Sequence, residues 1–250
     1  MTTRLEGRVA LVTGSTGGIG AGVARALARE GAHVIVSGRD AHRGSQVVTS
    51  IIDSGGRADF IATDLARGSG AASLAEAATR VAGGQLDVLV NNAAMLITPS
   101  PTSEVDEDLI DRAFAVNVKA AFLLTGLIAP AMAMRHQGAV VNIGSINGLI
   151  GMEGSALYSA TKATIHSLTK SWAAEFGPFG VRVNTVAPGP TLTPTVLDME
   201  EYLAPFIATI PSRRASTLEE VAAAVVFLAS DDASNIHGAT LSVDGGRAIV

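Results

Sequence analysis

The sequence has no cysteine. That excludes disulfides, cysteine-ligated zinc and thiol nucleophiles, and it makes a reducing, cytoplasmic compartment the expectation. Charge is also sparse: 16% of the 250 residues are Asp, Glu, Lys or Arg, and the formal net charge is −5. A phosphate-backbone partner would favour a basic face, so no nucleic-acid partner is expected. Long apolar runs are missing as well. The stretches 120–134 and 136–152 carry no Asp, Glu, Lys or Arg, but both are shorter than a bilayer span, and no membrane association is expected. The first apolar run passes straight into glycines, without the longer core of a signal peptide. What is present, 48% apolar residues, suffices for a large buried core and leaves disorder a poor description of any long stretch.

Short runs rich in Val, Ile and Leu alternate with longer Ala- and Leu-rich stretches of helical period. Strands are predicted at 9–13, 33–37, 58–62, 88–91, 139–144, 182–186 and 240–243. Near-continuous apolar strands suit a sheet covered on both faces, and the intervening segments are long enough for crossover helices. The pattern predicts an α/β fold, a doubly wound, Rossmann-like parallel sheet of seven strands. No repeat or linker divides the chain, so residues 1–250 read as one domain. The stretch 188–194 reads as a loop. With the helical stretch 198–210 it makes a candidate substrate loop or lid over 188–212, the helical part being equally compatible with a plain surface helix.

The first strand runs into Gly14-Ser15-Thr16-Gly17-Gly18-Ile19-Gly20, and a helical stretch follows. Glycines allow a tight turn and close approach of a ligand, and the helix N-terminus offers unpaired N–H groups to a pyrophosphate. Strand, turn and helix stand in the order dinucleotide binding requires, although the spacing GxxxGxG differs from the common GxGxxG, and a turn without a ligand would read similarly. After the second strand, the place where an acidic residue would bind the adenosine ribose holds Ser37 and Gly38, followed by Arg39. The planar guanidinium suits a 2′-phosphate, which favours NADP(H) over NAD(H). Asp40 stands in position to neutralise Arg39, which would leave the latter a solvated residue.

Tyr158 and Lys162 lie four residues apart in a helical pattern, hence on one helix face. A free phenol, with a pKa near 10, is a weak base at neutral pH; an adjacent ammonium favours the phenolate and lowers that value. The pair is a candidate acid/base, and an amphipathic helix with an ordinary surface lysine is the alternative. Ser145 closes the strand 139–144 at the sheet edge where ligands bind, placed either to polarise a carbonyl or to cap a turn. Asn91 and Asn92 end another strand, where their amides suit bracing of the turn. Asn117 stands inside a helical stretch that intrinsically disfavours it.

Taken in order, TGSTGGIG (13–20), Asp64-Leu65, NNAA (91–94), Asn117, Ser145, the Tyr158–Lys162 pentad, Pro188-Gly189 and VDGG (243–246) resemble the classical short-chain dehydrogenase/reductase family over nearly the whole chain. The resemblance implies hydride transfer between a nicotinamide and a carbonyl or alcohol of a small-molecule substrate, with a likeness to 3-oxoacyl-thioester reductases. It implies that Tyr158 exchanges the proton, Ser145 holds the substrate oxygen, Lys162 binds the nicotinamide ribose and Asn117 holds a relay water. Gly14, Thr16, Gly18, Ile19 and Gly20 would surround the pyrophosphate. Asp64 and Leu65 would contact adenine, Asn91 the adenosine side, and Pro188, Gly189, Thr191 and Thr193 the nicotinamide carboxamide. It implies a homotetramer and no metal. Two departures stand out: Ala94 replaces the usual glycine, and Gly17 occupies a place where NADP-preferring members often carry a basic residue. A dinucleotide-binding sensor or scaffold without catalysis is the alternative.

Overall fold

The computed structural model describes residues 3–193 and 200–250, so the stretch 194–199 of the expected lid lies outside the described residues. The strands are β1 Val9–Val12, β2 His33–Gly38, β3 Arg57–Ala62, β4 Val88–Asn91, β5 Gly138–Ile143, β6 Val181–Pro188 and β7 Thr240–Val243. They form one seven-stranded sheet in the order β3-β2-β1-β4-β5-β6-β7. Every pairing is parallel, with Leu11 beside both Ile35 and Leu89, and Val140 beside Leu89 and Val183. The chain winds outward from β1 to β3, then returns to place β4 on the other side of β1. This reversal opens a crevice at the carboxyl ends of β1 and β4.

Alternation along each strand feeds two cores, because successive side chains point to opposite faces. Ala10, Val12, Val34, Val36, Val88, Val90, Val141 and Ile143 join one buried cluster. It is covered by α1 (Gly18–Arg29), α2 (Ala41–Asp53) and a late helix, Leu218–Ala229, here α8. Leu11, Ile35, Leu89, Val140, Val181 and Val183 join the other. That face is covered by α3 (Gly70–Val81), α5 (Ala120–Met134) and α6 (Ala156–Phe176). Each fully buried Val, Leu or Ile contributes roughly 1.5–3 kcal/mol, so this two-sided burial is what fixes the sheet.

Two features bear on the site. Helix α4 (Glu107–Phe114) runs into α5 through a π turn, Ala115–Lys119, in which Ala120 N–H reaches back to the Ala115 carbonyl. Such turns insert an extra residue and often mark functional positions. The continuous helix Glu107–Met134 is, among the described residues, long and apolar enough by composition to cross a membrane. Its residues Leu124, Ile128, Ala129 and Met132 pack into the second core, which accounts for their apolarity. After β6 the described loop 189–193 is followed, beyond the residues not described, by a short helix, α7 (Glu200–Ile207), which ends before the 208–210 part of the helical stretch expected at 198–210.

Candidate active site

The glycine turn between β1 and α1 lies against the end of β4. Gly14 has φ +62°, and a Cβ there would stand 2.8 Å from Ala93 Cα. A Cβ on Gly20 would collide with Asn92 Nδ2 and the Gly14 carbonyl. The reason is that Asn92 Nδ2 donates to the carbonyls of Thr13 (2.7 Å) and Gly14 (3.0 Å), pulling the two loops together. Thr13 Oγ1 in turn accepts from the Asn92 and Ala93 N–H groups. Ser15, fully buried, donates to the Val12 carbonyl (2.6 Å) and accepts from Ser37 N–H (3.0 Å), tying the turn to the end of β2. The turn is a preformed, backbone-lined hollow, and Gly17 enters α1 in extended conformation with no side-chain cap on the helix N–H groups. A pyrophosphate fits such a hollow.

At the adenosine end, Thr63 N–H bonds the Gly38 carbonyl and brings Asp64 and Leu65 beside the end of β2. A Cβ on Gly38 would lie 2.6 Å from Thr16 Cγ2, so glycine there is what admits Thr16. Arg39 is exposed at this rim. Asp40 does not neutralise it: Asp40 caps α2 by accepting from Arg43 N–H (3.0 Å) and pairs with Arg43 Nε at 3.3 Å. Asp64 accepts from Ala66 N–H (3.1 Å) and pairs with Arg67, which spends its carboxylate on its own loop.

The hydroxyl, phenol and ammonium converge at the end of β5. Ser145 is buried, accepts from Asn147 N–H (3.2 Å) and lies near enough to the Tyr158 hydroxyl to favour its phenolate. Asn147 also donates to Ser155 Oγ (2.9 Å), which locks the loop between Ser145 and the start of α6. Lys162 follows one turn after Tyr158. Its Nζ donates to the Ile143 carbonyl (2.9 Å) and lies 5.6 Å from the Tyr158 ring centroid. Burial pushes the Lys162 ammonium down to about 8. Burial also pushes the Tyr158 phenol up to about 12, against the smaller lowering effect of Ser145. The phenol thus lies above its ordinary value, opposite to the lowering expected from an adjacent cation, because burial disfavours the phenolate.

Asn117 sits in the π turn, buried, with its amide engaged at both ends. Its Oδ1 accepts from Met95 N–H (2.6 Å), and its Nδ2 donates to the Met95 carbonyl (3.1 Å) and Thr161 Oγ1 (3.2 Å). It braces α6 between Tyr158 and Lys162. Asn91, expected on the adenosine side, has its amide engaged within the fold. Its side chain turns to the α5 and α6 side of the sheet, donating to Thr125 Oγ1 (3.1 Å) and Asn142 Oδ1 (2.9 Å), with its Oδ1 buried. Strand alternation aims it there with Leu89, while its neighbour Asn92 takes the crevice side.

The loop after β6 crosses the glycine turn: a Cβ on Gly18 would lie 3.7 Å from Thr193 Cγ2. Pro188 ends β6, and Gly189 leaves room for Asp244, whose Cα a Cβ would meet at 3.0 Å. Thr191, expected to touch the cofactor, is buried and donates to the Gly189 carbonyl (3.0 Å), a loop brace. Thr193 is partly exposed beside Gly18.

Sequence reasoning passed over Ser15, Asn147 and His166. His166 follows Lys162 by one turn and is 6% exposed. Its Nε2 meets the Ser145 carbonyl at 3.0 Å and its Nδ1 meets Thr240 Oγ1 at 3.2 Å. It occupies hollows left by two glycines: a Cβ on Gly144 or Gly148 would come within 2.6 Å of its ring. Burial lowers its pKa, helped by the nearby Lys162 and Lys170 and opposed by the Ser145 carbonyl. The repeat Tyr158, Lys162, His166 at intervals of four was the available signal. A cavity of about 280 Å³ among Arg8, His136, Arg182 and His237 opens at the opposite edge of the sheet, away from all these groups.

A dinucleotide hollow and a serine–tyrosine–lysine cluster on one edge of a doubly wound sheet define an NAD(P)-dependent oxidoreductase. The comparisons specify the class further. A family profile described as enoyl-(acyl carrier protein) reductase matches residues 14–248. Cyclopentanol dehydrogenase of Comamonas testosteroni is 38% identical, covering 97% of this chain and 98% of its own. The 7alpha-hydroxysteroid dehydrogenase of Bacteroides fragilis is 34% identical, covering 98% and 96%. A solved protein from Beutenbergia cavernae with bound NADP superposes with a TM-score of 0.93 at 38% identity over 100% of both chains. The chain belongs to the short-chain dehydrogenase/reductase family.

Proposed function

We propose that this protein is an NADP(H)-dependent oxidoreductase that interconverts a secondary alcohol and its carbonyl compound. The observation that carries the reading is the convergence of Ser145, Tyr158 and Lys162 beside the glycine hollow. A bound nicotinamide supplies the hydride donor or acceptor. During reduction Tyr158 Oη–H gives its proton to the carbonyl oxygen, while Ser145 Oγ–H donates to the same oxygen. Lys162 compensates the phenolate that results, and also reaches the nicotinamide ribose. Oxidation runs through the same groups in reverse. Asn117, whose amide is engaged by Met95 and Thr161, holds the relay water that continues the proton path through Lys162.

Gly14, Thr16, Gly18, Ile19 and Gly20 hold the pyrophosphate and adjacent ribose. Asp64 and Leu65 flank adenine, while Pro188, Gly189 and Thr193 hold the carboxamide, with Thr191 bracing their loop. NADP(H) is favoured because Gly38 offers no carboxylate to repel a 2′-phosphate and Asp40 leaves Arg39 to bind it. A cytoplasmic homotetramer is part of the same reading, supported by the exposed apolar C-terminal residues Ile249 and Val250. Residues 1–250 act as one domain, with 188–212 as the substrate loop.

The test is a panel of alcohols, ketones and 3-oxoacyl thioesters assayed with both cofactors. Activity with NADPH that exceeds activity with NADH, and falls by at least about 10²-fold in Tyr158→Phe, supports the reading. Equal activity in Tyr158→Phe, or an Arg39→Ala variant that keeps full NADPH affinity, overturns the corresponding assignment.

A further inference from the structure

We propose that His166 is a positioning residue of the reaction: together with Thr240 it ties the Ser145 turn to the helix that carries Tyr158 and Lys162. The inference rests on the oxidoreductase reading above and adds two residues that act on its chemistry through Ser145. Tyr158, Lys162 and His166 follow one another at intervals of four along α6, so they project from one side of that helix. Ser145 stands on a different element, in the turn after β5. A serine hydroxyl and a phenol that must meet one substrate oxygen therefore need a tie between turn and helix.

His166 is built to be that tie. A Cβ on Gly144 would stand 2.6 Å from its ring Cε1, and one on Gly148 would stand 2.6 Å from its Cδ2. Nε2 lies between those two carbons in the ring, so one ring edge faces the whole turn and the two glycines make room for it. Nε2 meets the Ser145 carbonyl at 3.0 Å. Gly148 N–H bonds the same carbonyl at 3.0 Å, but from within the turn, so His166 is its partner on α6. Ser145 Oγ accepts from Asn147 N–H, which leaves the hydroxyl proton to point at a substrate oxygen.

The partners also fix which ring nitrogen carries the proton. A carbonyl oxygen only accepts, so the bond to Ser145 requires the proton on Nε2. In the neutral ring Nδ1 is then an acceptor, and Thr240 Oγ1, at 3.2 Å, donates to it. Thr240 opens β7 and is held in register beside Thr185 of β6. Its hydroxyl thereby selects the tautomer that can hold Ser145. Lys162 makes a companion tie one turn earlier, from Nζ to the Ile143 carbonyl at 2.9 Å. That ammonium is also assigned to the nicotinamide ribose, whereas both ring nitrogens of His166 are engaged with protein groups. His166 is therefore the tie that stays in place as cofactor binds.

The experiment is a double-mutant cycle, read by single-turnover reduction of the best ketone of the panel at saturating NADPH. His166→Leu is expected to lower the rate by about 10-fold or more with Ser145 present, and by less than about twofold in a Ser145→Ala background. NADPH affinity, from fluorescence titration, should stay within about twofold of each background's own value. His166→Gln, which can still donate to the carbonyl, should recover much of the loss. Thr240→Val is close in shape to the parent and informative even where His166→Leu fails to fold. It should slow the rate by about threefold or more, with recovery in Thr240→Ser and no effect in the Ser145→Ala background. A parental rate in either His166→Leu or Thr240→Val overturns the proposal. So do losses equal in the two backgrounds, equal losses in His166→Leu and His166→Gln, or a fall in NADPH affinity that matches the fall in rate. Ser145→Ala at the parental rate, or a parent that turns over no ketone, would overturn the oxidoreductase reading itself, and this inference with it.

Discussion

Replacing Lys162 with methionine keeps most of the buried volume and removes one charge. The ammonium lies 5.6 Å from the centre of the Tyr158 ring. Taking that as the charge separation, with an effective dielectric constant of about 20, the phenolate loses about 3 kcal/mol of stabilisation. At 1.36 kcal/mol per pKa unit this raises the phenol by about 2 units. Alcohol oxidation depends on the small phenolate fraction, so at pH 7 and saturating cofactor the variant should be about 100-fold slower. The gap between variant and parent should narrow as pH rises through about 8, where the parent Lys162 loses its charge. The parent Lys162 titrates near 8, so at pH 7 it is still mostly charged and the comparison is valid there. Stopped-flow measurement of the oxidative half-reaction provides the assay. A kcat within about threefold of the parent at pH 7, or a loss not recovered as pH rises, would refute the electrostatic role.

The same lysine should be visible in stability. Its folded pKa is lowered to about 8 from 10.5, so the unfolded chain holds more protons across that window. Parent stability should therefore rise relative to Lys162→Met between pH 8 and 10.5, by up to about 3 kcal/mol in denaturant titrations, and a flat difference would contradict the burial argument. Gly20→Ala should abolish cofactor binding, since its methyl meets Asn92 and the Gly14 carbonyl; fluorescence titration with NADPH would detect retained affinity. His166→Leu should lower kcat by about 10-fold or more with little change in cofactor KM, because the Ser145 carbonyl loses its partner and the serine hydroxyl drifts. His166→Gln, which can still place an N–H near that carbonyl, should recover much of the loss. Equal defects in both variants would mean the ring acts only by filling space.

The seven strands and their alternation with helices were readable from the sequence, because apolar runs and helical periods are local properties of a chain that must cover both faces of a sheet. The glycine turn was legible for the same reason, since strand, turn and helix are adjacent in sequence. The spacing of Tyr158 and Lys162 was sufficient to put them on one helix face. What a side chain meets across the fold was not readable. The direction of Asn91 depends on strand pairing that sets it beside Asn142, 51 residues away, while Asn92 reaches back to Gly14. The engagement of Asn117 by Met95, the turn of Thr191 into its own loop, and the docking of His166 beneath Ser145 were likewise decided by packing. The upward push on the Tyr158 phenol was also a tertiary result. Sequence spacing states which charges are near, while desolvation depends on how closely the whole fold closes around them.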